Sequence, residues 1–338
     1  MFSVRLLAAA GALVAALAAT TPARGATAYD TVRLFGTDYV DARDFGARYG
    51  LSAEWIAPRE KLRLRSQWTT IELTADSIDV SLNGVRLFLA APVVARNGSL
   101  YLGEDDIAHT LGAILSPKFP GRVPAVRTIA VDAGHGGNDP GNQNKSLKLD
   151  EKVYTLDVAR RLERLLKRDG FRVVMTRTRD RAVGLEERTA LAARAGADVF
   201  VSIHFNSFTQ PGVAGAETYV MTPRGQRSSP QAERDDRMVA ASFPSNRHDL
   251  ANILLGYQVH RHLIGELKPV DRGLKHFRYS VLRTAECPAV LVEAAFLSNP
   301  AEGRKVATAA YRQQIAAAIA SGIKAHAEML DRLRLGKG

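Results

Sequence analysis

The spacing of apolar residues changes character along this chain, and each regime predicts a different kind of structure. Between residues 29 and 115 apolar positions alternate in short runs, at 78–82, 85–89 and 99–102. That two-residue period belongs to half-buried strands. Asn83-Gly84 and Asn97-Gly98 stand between such runs. Both members of an Asn-Gly pair tolerate the positive φ that tight hairpins need, so two hairpins are predicted there. A weak internal repeat predicts a strand end followed by a short helix closed at glycine. It sets Tyr39-Val40-x-x-x-Asp44-Phe45-Gly46-x-x-Tyr49-Gly50 against Tyr101-Leu102-x-x-x-Asp106-Ile107-Ala108-x-x-Leu111-Gly112.

From residue 126 onward, apolar strands alternate with helical periodicity. Strands are predicted at 126–131, 171–176, 198–204, 216–221 and 289–293. Helices are predicted at 151–168, 185–195, 249–267 and 304–335. In the first of these helices Val153, Leu156, Ala159, Leu162, Leu165 and Leu166 fall on one side, and Gly170 closes it. The fold class expected is α/β, a mostly parallel sheet with helices on both faces, preceded by a small β-rich α+β domain. Pro and Gly punctuate 116–125, which reads as a linker between an accessory domain at 29–115 and a second domain at 126–335. Residues 223–247 carry mixed charge and exceed an ordinary connection. They read either as a lid or regulatory insert or as a passive solvated loop.

The first 28 residues combine a short basic start ending at Arg5, an apolar run at 6–19 and small residues after it. This is the pattern of a secretory signal peptide, too short to span a bilayer comfortably. No later stretch approaches 18 apolar residues, so no membrane span is expected. The protein is expected to be exported, to a periplasm or to the cell wall and extracellular space. The formal net charge of +11 would by itself suit nucleic acid, an anionic membrane or an acidic polymer. Export weighs against nucleic acid and leaves the acidic polymer. The single Cys287 excludes an internal disulfide and zinc sites built on two or more thiolates. Any metal must be held by His and carboxylates.

Ligands of open α/β sheets bind beyond the carboxyl ends of the strands, which shortens the candidate list. The first strand of the second domain runs into Asp132-Ala133-Gly134-His135-Gly136-Gly137-Asn138-Asp139-Pro140-Gly141. Another runs into His204-Phe205-Asn206-Ser207, a third into Glu293, and Glu151 opens a helix. Two imidazoles and one carboxylate suffice for a catalytic Zn²⁺ and leave its fourth position for water. Glu293 would then be a base beside that water. Singly, these residues also read as a loop histidine, a helix-start acid and a strand-end histidine; together on one rim they read as a site. His248, His260, His262, His276 and His326 read as surface or packing residues, and Cys287 as buried and inert.

The run Val131 to Gly141 resembles the opening motif of the zinc-dependent N-acetylmuramoyl-L-alanine amidases, family 3. Further motifs follow in order: Glu151-Lys152, Thr176-Arg177-x-x-Asp180, Leu185-x-x-Arg188, Ser202-Ile203-His204-Phe205-Asn206-Ser207, Asp271-Arg272-Gly273-Leu274-Lys275, Val281-Leu282-Arg283 and Pro288 to Glu293. The resemblance implies one Zn²⁺ held by His135, Glu151 and His204, with Glu293 as the catalytic glutamate. The substrate it implies is peptidoglycan, cut between N-acetylmuramic acid and the L-alanine of the stem peptide. Arg272, Arg283 and Asn206 are candidate substrate contacts. Some relatives carry an inhibitory helix near the 223–247 insert, so a regulatory protein acting through the insert or the accessory domain is a candidate partner. Two departures, a more polar loop at 142–150 and Ala295 where Gly is common, remove no functional group. Residues 29–115 resemble the small copper-amine-oxidase N-terminal-like domain of exported wall proteins, which suggests wall or partner binding. His109 is its one histidine, so no copper site is expected there. Two other readings stay open: a zinc hydrolase of another cell-wall or poly-acidic peptide amide, and a non-catalytic wall-binding protein. A serine hydrolase is excluded, because no Gly-x-Ser-x-Gly turn occurs.

Overall fold

The structure, a computed structural model, describes residues 29–229 and 238–336. The expected signal peptide and residues 230–237 of the insert lie outside them. The accessory region forms β1 (Thr31–Leu34), β2 (Thr37–Asp41), α1 (Ala42–Arg48), β3 (Ser52–Ala57), β4 (Lys61–Arg65), β5 (Thr70–Thr74), β6 (Asp79–Leu82), β7 (Val85–Phe88), β8 (Val94–Arg96) and β9 (Ser99–Gly103). A broken helical stretch follows, with α2 at Glu104–Asp106, a wider turn at Ile107–Leu111 and α3 at Gly112–Leu115. Both Asn-Gly pairs close hairpins with positive φ at each residue, 53° and 77° for Asn83-Gly84 and 50° and 77° for Asn97-Gly98. The repeat corresponds to β2–α1 and β9–α2, and β2 and β9 pair with each other; Gly50 (φ 65°) closes the first helix, but Gly112 is helical and the second stretch runs on to Leu115.

The second region contains β10 (Thr128–Ala133), a small ribbon of β11 (Gln143–Asn144) and β12 (Leu149–Asp150), α4 (Glu151–Arg168), β13 (Arg172–Met175), α5 (Leu185–Arg194), β14 (Val199–Asn206) and β15 (Ala216–Val220). It continues with α6 (Asp249–Leu267), β16 (Asp271–His276), α7 (Ser280–Arg283), β17 (Ala289–Phe296), α8 (Pro300–Ala307) and α9 (Ala309–Leu335). The helix predicted at 304–335 is therefore two. Thr308 between them is extended (φ −83°, ψ 135°), and its side chain caps α9 at Tyr311 N.

The main sheet has the order β13-β10-β14-β17-β15-β16-β7-β6-β5-β4-β3. Its first four strands are parallel, β15 runs antiparallel to β17, and β16 is parallel to β15. Helices α4, α6 and α9 cover one face, and α5 and α7 cover the other. Accessory strands β3 to β7 continue the same sheet, joined where Leu274 of β16 lies opposite Leu87 of β7. Arg86 N donates to Asp271 Oδ2 across this junction at 2.9 Å. One buried apolar cluster accordingly extends from Val40 and Leu87 to Ile129 and Ile323. Among the described residues, no helix is long and apolar enough to cross a membrane.

Strand alternation places the chemistry. Phe200 and Leu291 point into the cluster beneath α5 and α7. His204 lies four residues beyond Phe200 on β14, and Glu293 two beyond Leu291 on β17. A period of two therefore sets both on that face. The two strands also run further than predicted, so His204 and Glu293 sit within them instead of at their ends.

Candidate active site

The loop after β10 carries His135 in the left-handed backbone region (φ 61°). Gly134 before it must lack a side chain, because a Cβ there would lie 2.6 Å from His204 Nε2. Gly141 is under the same constraint: its Cβ would lie 2.6 Å from His135 Cδ2 and 2.7 Å from Glu151 Oε2. Glu151, at the first turn of α4, is fully buried. Its Oε2 accepts from Asn142 N at 2.7 Å and lies 3.2 Å from His135 Nε2. Its Oε1 accepts from Phe205 N at 3.0 Å and lies 3.0 Å from His204 Nδ1. The two imidazole rings meet edge-on, with centroids 4.9 Å apart. One ligand atom from each of His135, Glu151 and His204 lies within 4.8 Å of the others.

Burial works to raise the Glu151 pKa, but hydrogen bonds from His135 and His204 outweigh it and bring it down to about 2. The carboxylate is thus charged at any physiological pH. Asp139 Oδ2 lies 2.8 Å from His135 Nδ1. A carboxylate at that position holds a proton on Nδ1, so that Nε2, which faces Glu151, is the nitrogen free to bind a metal once it gives up its own proton, as in carboxylate–histidine–metal arrangements. Two imidazoles and an ionised carboxylate, converging without thiolates, fit a small divalent ion of the Zn²⁺ type.

Glu293 stands beside this cluster, opposite His204 across the β14–β17 pair. Its Oε2 is buried with no hydrogen-bond partner among the described residues. Burial raises its pKa well above the ordinary carboxylate range, helped by the negative charges of Glu151 and Glu217. Glu217 faces it from the other side, in the β15–β17 pair. The Glu217 carboxylate is held by Arg272 Nε at 2.6 Å, Lys275 Nζ at 3.2 Å, Asn206 Nδ2 at 3.2 Å and the Tyr219 hydroxyl. Sequence reasoning missed Glu217. Its signal was a single acid inside the otherwise apolar and hydroxylic strand 216–221. Lys275 belonged to a recognised motif but had been given no role.

The structure thus brings His135, Glu151, His204 and Glu293 together. It sets Asn206 and Arg272 on the adjoining wall, where both bond Glu217 and the Arg272 guanidinium lies over Phe296 at 5.0 Å. Arg283 goes elsewhere: it stacks on Phe243 at 5.5 Å and reaches Met238 Sδ, both in the insert. His260 is buried between Thr218 Oγ1 and Asp271 Oδ1, at 2.9 Å from each. His276 bonds Thr110 of the accessory region at 3.2 Å. His326 is fully buried without a partner among the described residues. Cys287 is buried, and burial pushes its thiol up to about 12.

Comparison with known proteins identifies the family. The N-acetylmuramoyl-L-alanine amidase family model matches residues 129–325, and the copper amine oxidase N-terminal domain matches residues 32–118. The chain is 30% identical over 250 residues to the N-acetylmuramoyl-L-alanine amidase AmiA of Escherichia coli, covering 68% of this chain and 86% of that protein. The catalytic domain of CwlV, an N-acetylmuramoyl-L-alanine amidase from Bacillus (Paenibacillus) polymyxa var. colistinus, aligns with a TM-score of 0.50 at 29% identity. That alignment covers 61% of this chain and 99% of the CwlV chain. The amidase AmiC2 of Nostoc punctiforme aligns with a TM-score of 0.50 at 28% identity, over 60% and 97% of the two chains.

Proposed function

Because this chain belongs to the N-acetylmuramoyl-L-alanine amidase family and is a peptidoglycan hydrolase, we propose that a Zn²⁺ ion held by His135, Glu151 and His204 and a proton carried by Glu293 perform its amide cleavage. The observation that carries this reading is the convergence of three metal-type donors within 4.8 Å beside a buried carboxylate oxygen that no described residue satisfies. When bound, the ion would supply Lewis acidity, making water a better nucleophile and polarising the scissile carbonyl. Glu293 Oε2 accepts the proton of the attacking water and returns it to the nitrogen of departing L-alanine. A raised pKa suits a carboxylate that must both take and give a proton near neutral pH. Asp139 keeps His135 oriented, and the backbone donors at Asn142 and Phe205 keep Glu151 charged and fixed. Lys275 and Arg272 hold Glu217, so Glu293 keeps an anionic neighbour and its high proton affinity.

Export to the periplasm or cell wall fits the pattern of residues 1–28 and the peptidoglycan substrate. The accessory region would serve wall or partner binding. A regulatory partner would act through the 223–247 insert, whose flank touches the accessory region through Gln226 Nε2 and Asp105 O at 3.1 Å. Digestion of purified peptidoglycan, with and without a chelator, tests the proposal. Stem peptides with free L-alanine amino termini are expected, abolished by the chelator and restored by Zn²⁺. Cleavage elsewhere in the polymer, or activity indifferent to the chelator, would overturn it.

A further inference from the structure

Two arginines of the recognised motifs remain without a part in the chemistry, and both are buried: Arg177 is 1% exposed and Arg188 4%. Arg188 pairs with Asp132 at 2.7 Å, and Asp132 is further fixed by Thr176 Oγ1 at 2.6 Å and Ser202 Oγ at 2.7 Å. Arg188 Nη1 and Nη2 also reach Ala133 O at 2.8 Å and His135 O at 2.9 Å, and its Nε donates to Val183 O at 3.2 Å. Arg177 forms no ion pair with a described residue. Its Nε donates to Ala133 O at 2.9 Å, and its Nη2 to Gly134 O at 2.9 Å and Lys152 O at 2.8 Å. Thr155 Oγ1 adds a bond to Gly134 O at 2.8 Å.

Two guanidiniums therefore bind three successive carbonyls, 133 to 135, on the loop that carries a metal-type ligand. This is costly placement. A buried cation whose hydrogen-bond partners are neutral carbonyls and the Thr155 hydroxyl gives up hydration that no direct ion pair repays. The loop also needs holding, because His135 lies in the left-handed region that a residue with a Cβ avoids. Lysine could not do the same work: a point charge cannot span two carbonyls in a fixed plane, as a guanidinium fork can. Lys152 O, bonded by Arg177, is next to Glu151, so one side chain ties the His135 loop to the helix turn that supplies the second ligand.

We propose that Arg177 and Arg188 are positioning residues of the metal site, a two-armed clamp that fixes carbonyls 133–135 and thereby aims the His135 imidazole at Glu151 and His204. The inference rests on the metal site proposed above, and its test separates the two. Zn²⁺ affinity is measured on the full chain by competition with a chromogenic chelator, alongside thermal unfolding of the metal-free protein. The variants are Arg177→Lys, Arg188→Lys, Thr155→Val and, as a ligand control, His204→Ala. Arg188→Lys keeps a charge on Asp132, and Thr155→Val keeps every charge while removing the hydroxyl that donates to Gly134 O and accepts from Arg177 Nη2 at 3.1 Å.

Loss of an outer group that orients a metal ligand weakens binding by about 10–100-fold. That loss is expected for each lysine variant, with metal-free unfolding little changed, and a several-fold loss is expected for Thr155→Val. Wild-type affinity in the variants that fold, while His204→Ala loses the metal, would overturn the clamp and leave the site standing. Where a lysine variant does not fold, Thr155→Val decides: unchanged affinity overturns the clamp. Wild-type affinity in His204→Ala would overturn the metal site, and the clamp's purpose with it.

Discussion

At Gly134 the backbone passes so close to His204 that one methyl group decides whether the histidine can hold its place. Gly134→Ala is expected to displace the His204 ring and abolish chelator-sensitive activity while the helical content stays the same; circular dichroism and a turnover assay check this. Wild-type activity would show that the ring position is not needed. Glu217 is the second residue with a specific consequence. Its charge helps to raise the Glu293 pKa, after burial and Glu151. A general base must be deprotonated to act, so activity falls as pH drops through that pKa. Glu217→Gln removes the like charge and should move the acid limb of the kcat/KM profile to lower pH; an unmoved limb would refute the coupling. The clustering of His135, Glu151, His204 and Glu293 was legible because they lie where strands and glycine loops must present side chains. Glu217 was not legible, because nothing local marks which lone acid in a strand will face another across the sheet. Arg283 looked like a rim residue from its place before a strand, but the insert claims it.

At the scale of elements, strands and helices followed their periodicities, and the errors fell at ends. β14 and β17 continue past the chemistry because Phe205, Ala294, Ala295 and Phe296 are themselves buried, so nothing apolar-to-polar marks a stop. The 304–335 run divides at Thr308 because a capping hydroxyl outweighs one more helical turn, which an alanine-rich pattern conceals. α9 also holds His326, fully buried, with both ring nitrogens unpartnered among the described residues. Burial lowers its pKa to about 3, so it stays neutral in the fold while an unfolded chain protonates it near pH 6.5. Between those values the unfolded state binds more protons, and stability falls as pH falls. At pH 5 the loss is about 2 kcal/mol, taking about 1.4 kcal/mol per pH unit. His326→Leu should therefore reduce the fall in unfolding temperature between pH 7 and pH 5. An identical fall in the variant would contradict the assignment.

At the scale of the whole molecule, Pro and Gly at 116–125 predicted a linker between two domains, and the sheet runs across that boundary. The β16–β7 pairing joins residues 187 apart in sequence, Leu87 and Leu274, and no local pattern announces so distant a partner. Strand β16 consequently serves two neighbours. One edge meets β15, where Arg272 and Lys275 hold Glu217, and the other meets the accessory strand β7, where Phe88 fills the space a Gly273 side chain would need. A shared sheet and one continuous core predict a single cooperative unfolding transition by calorimetry, and two resolved transitions would argue for independent domains. Gly273→Ala, with its Cβ 2.7 Å from the Phe88 ring at a φ of 95°, should lower that transition and loosen the junction to proteolysis.

The central claim divides the work between residues that hold a metal and a carboxylate that moves a proton. The most direct measurement is zinc content and peptidoglycan turnover determined together on Glu293→Gln. The account predicts one Zn²⁺ per chain, as in the wild type, with turnover lower by about 10²–10⁴-fold. Turnover near the wild-type rate in a zinc-loaded Glu293→Gln protein would contradict it.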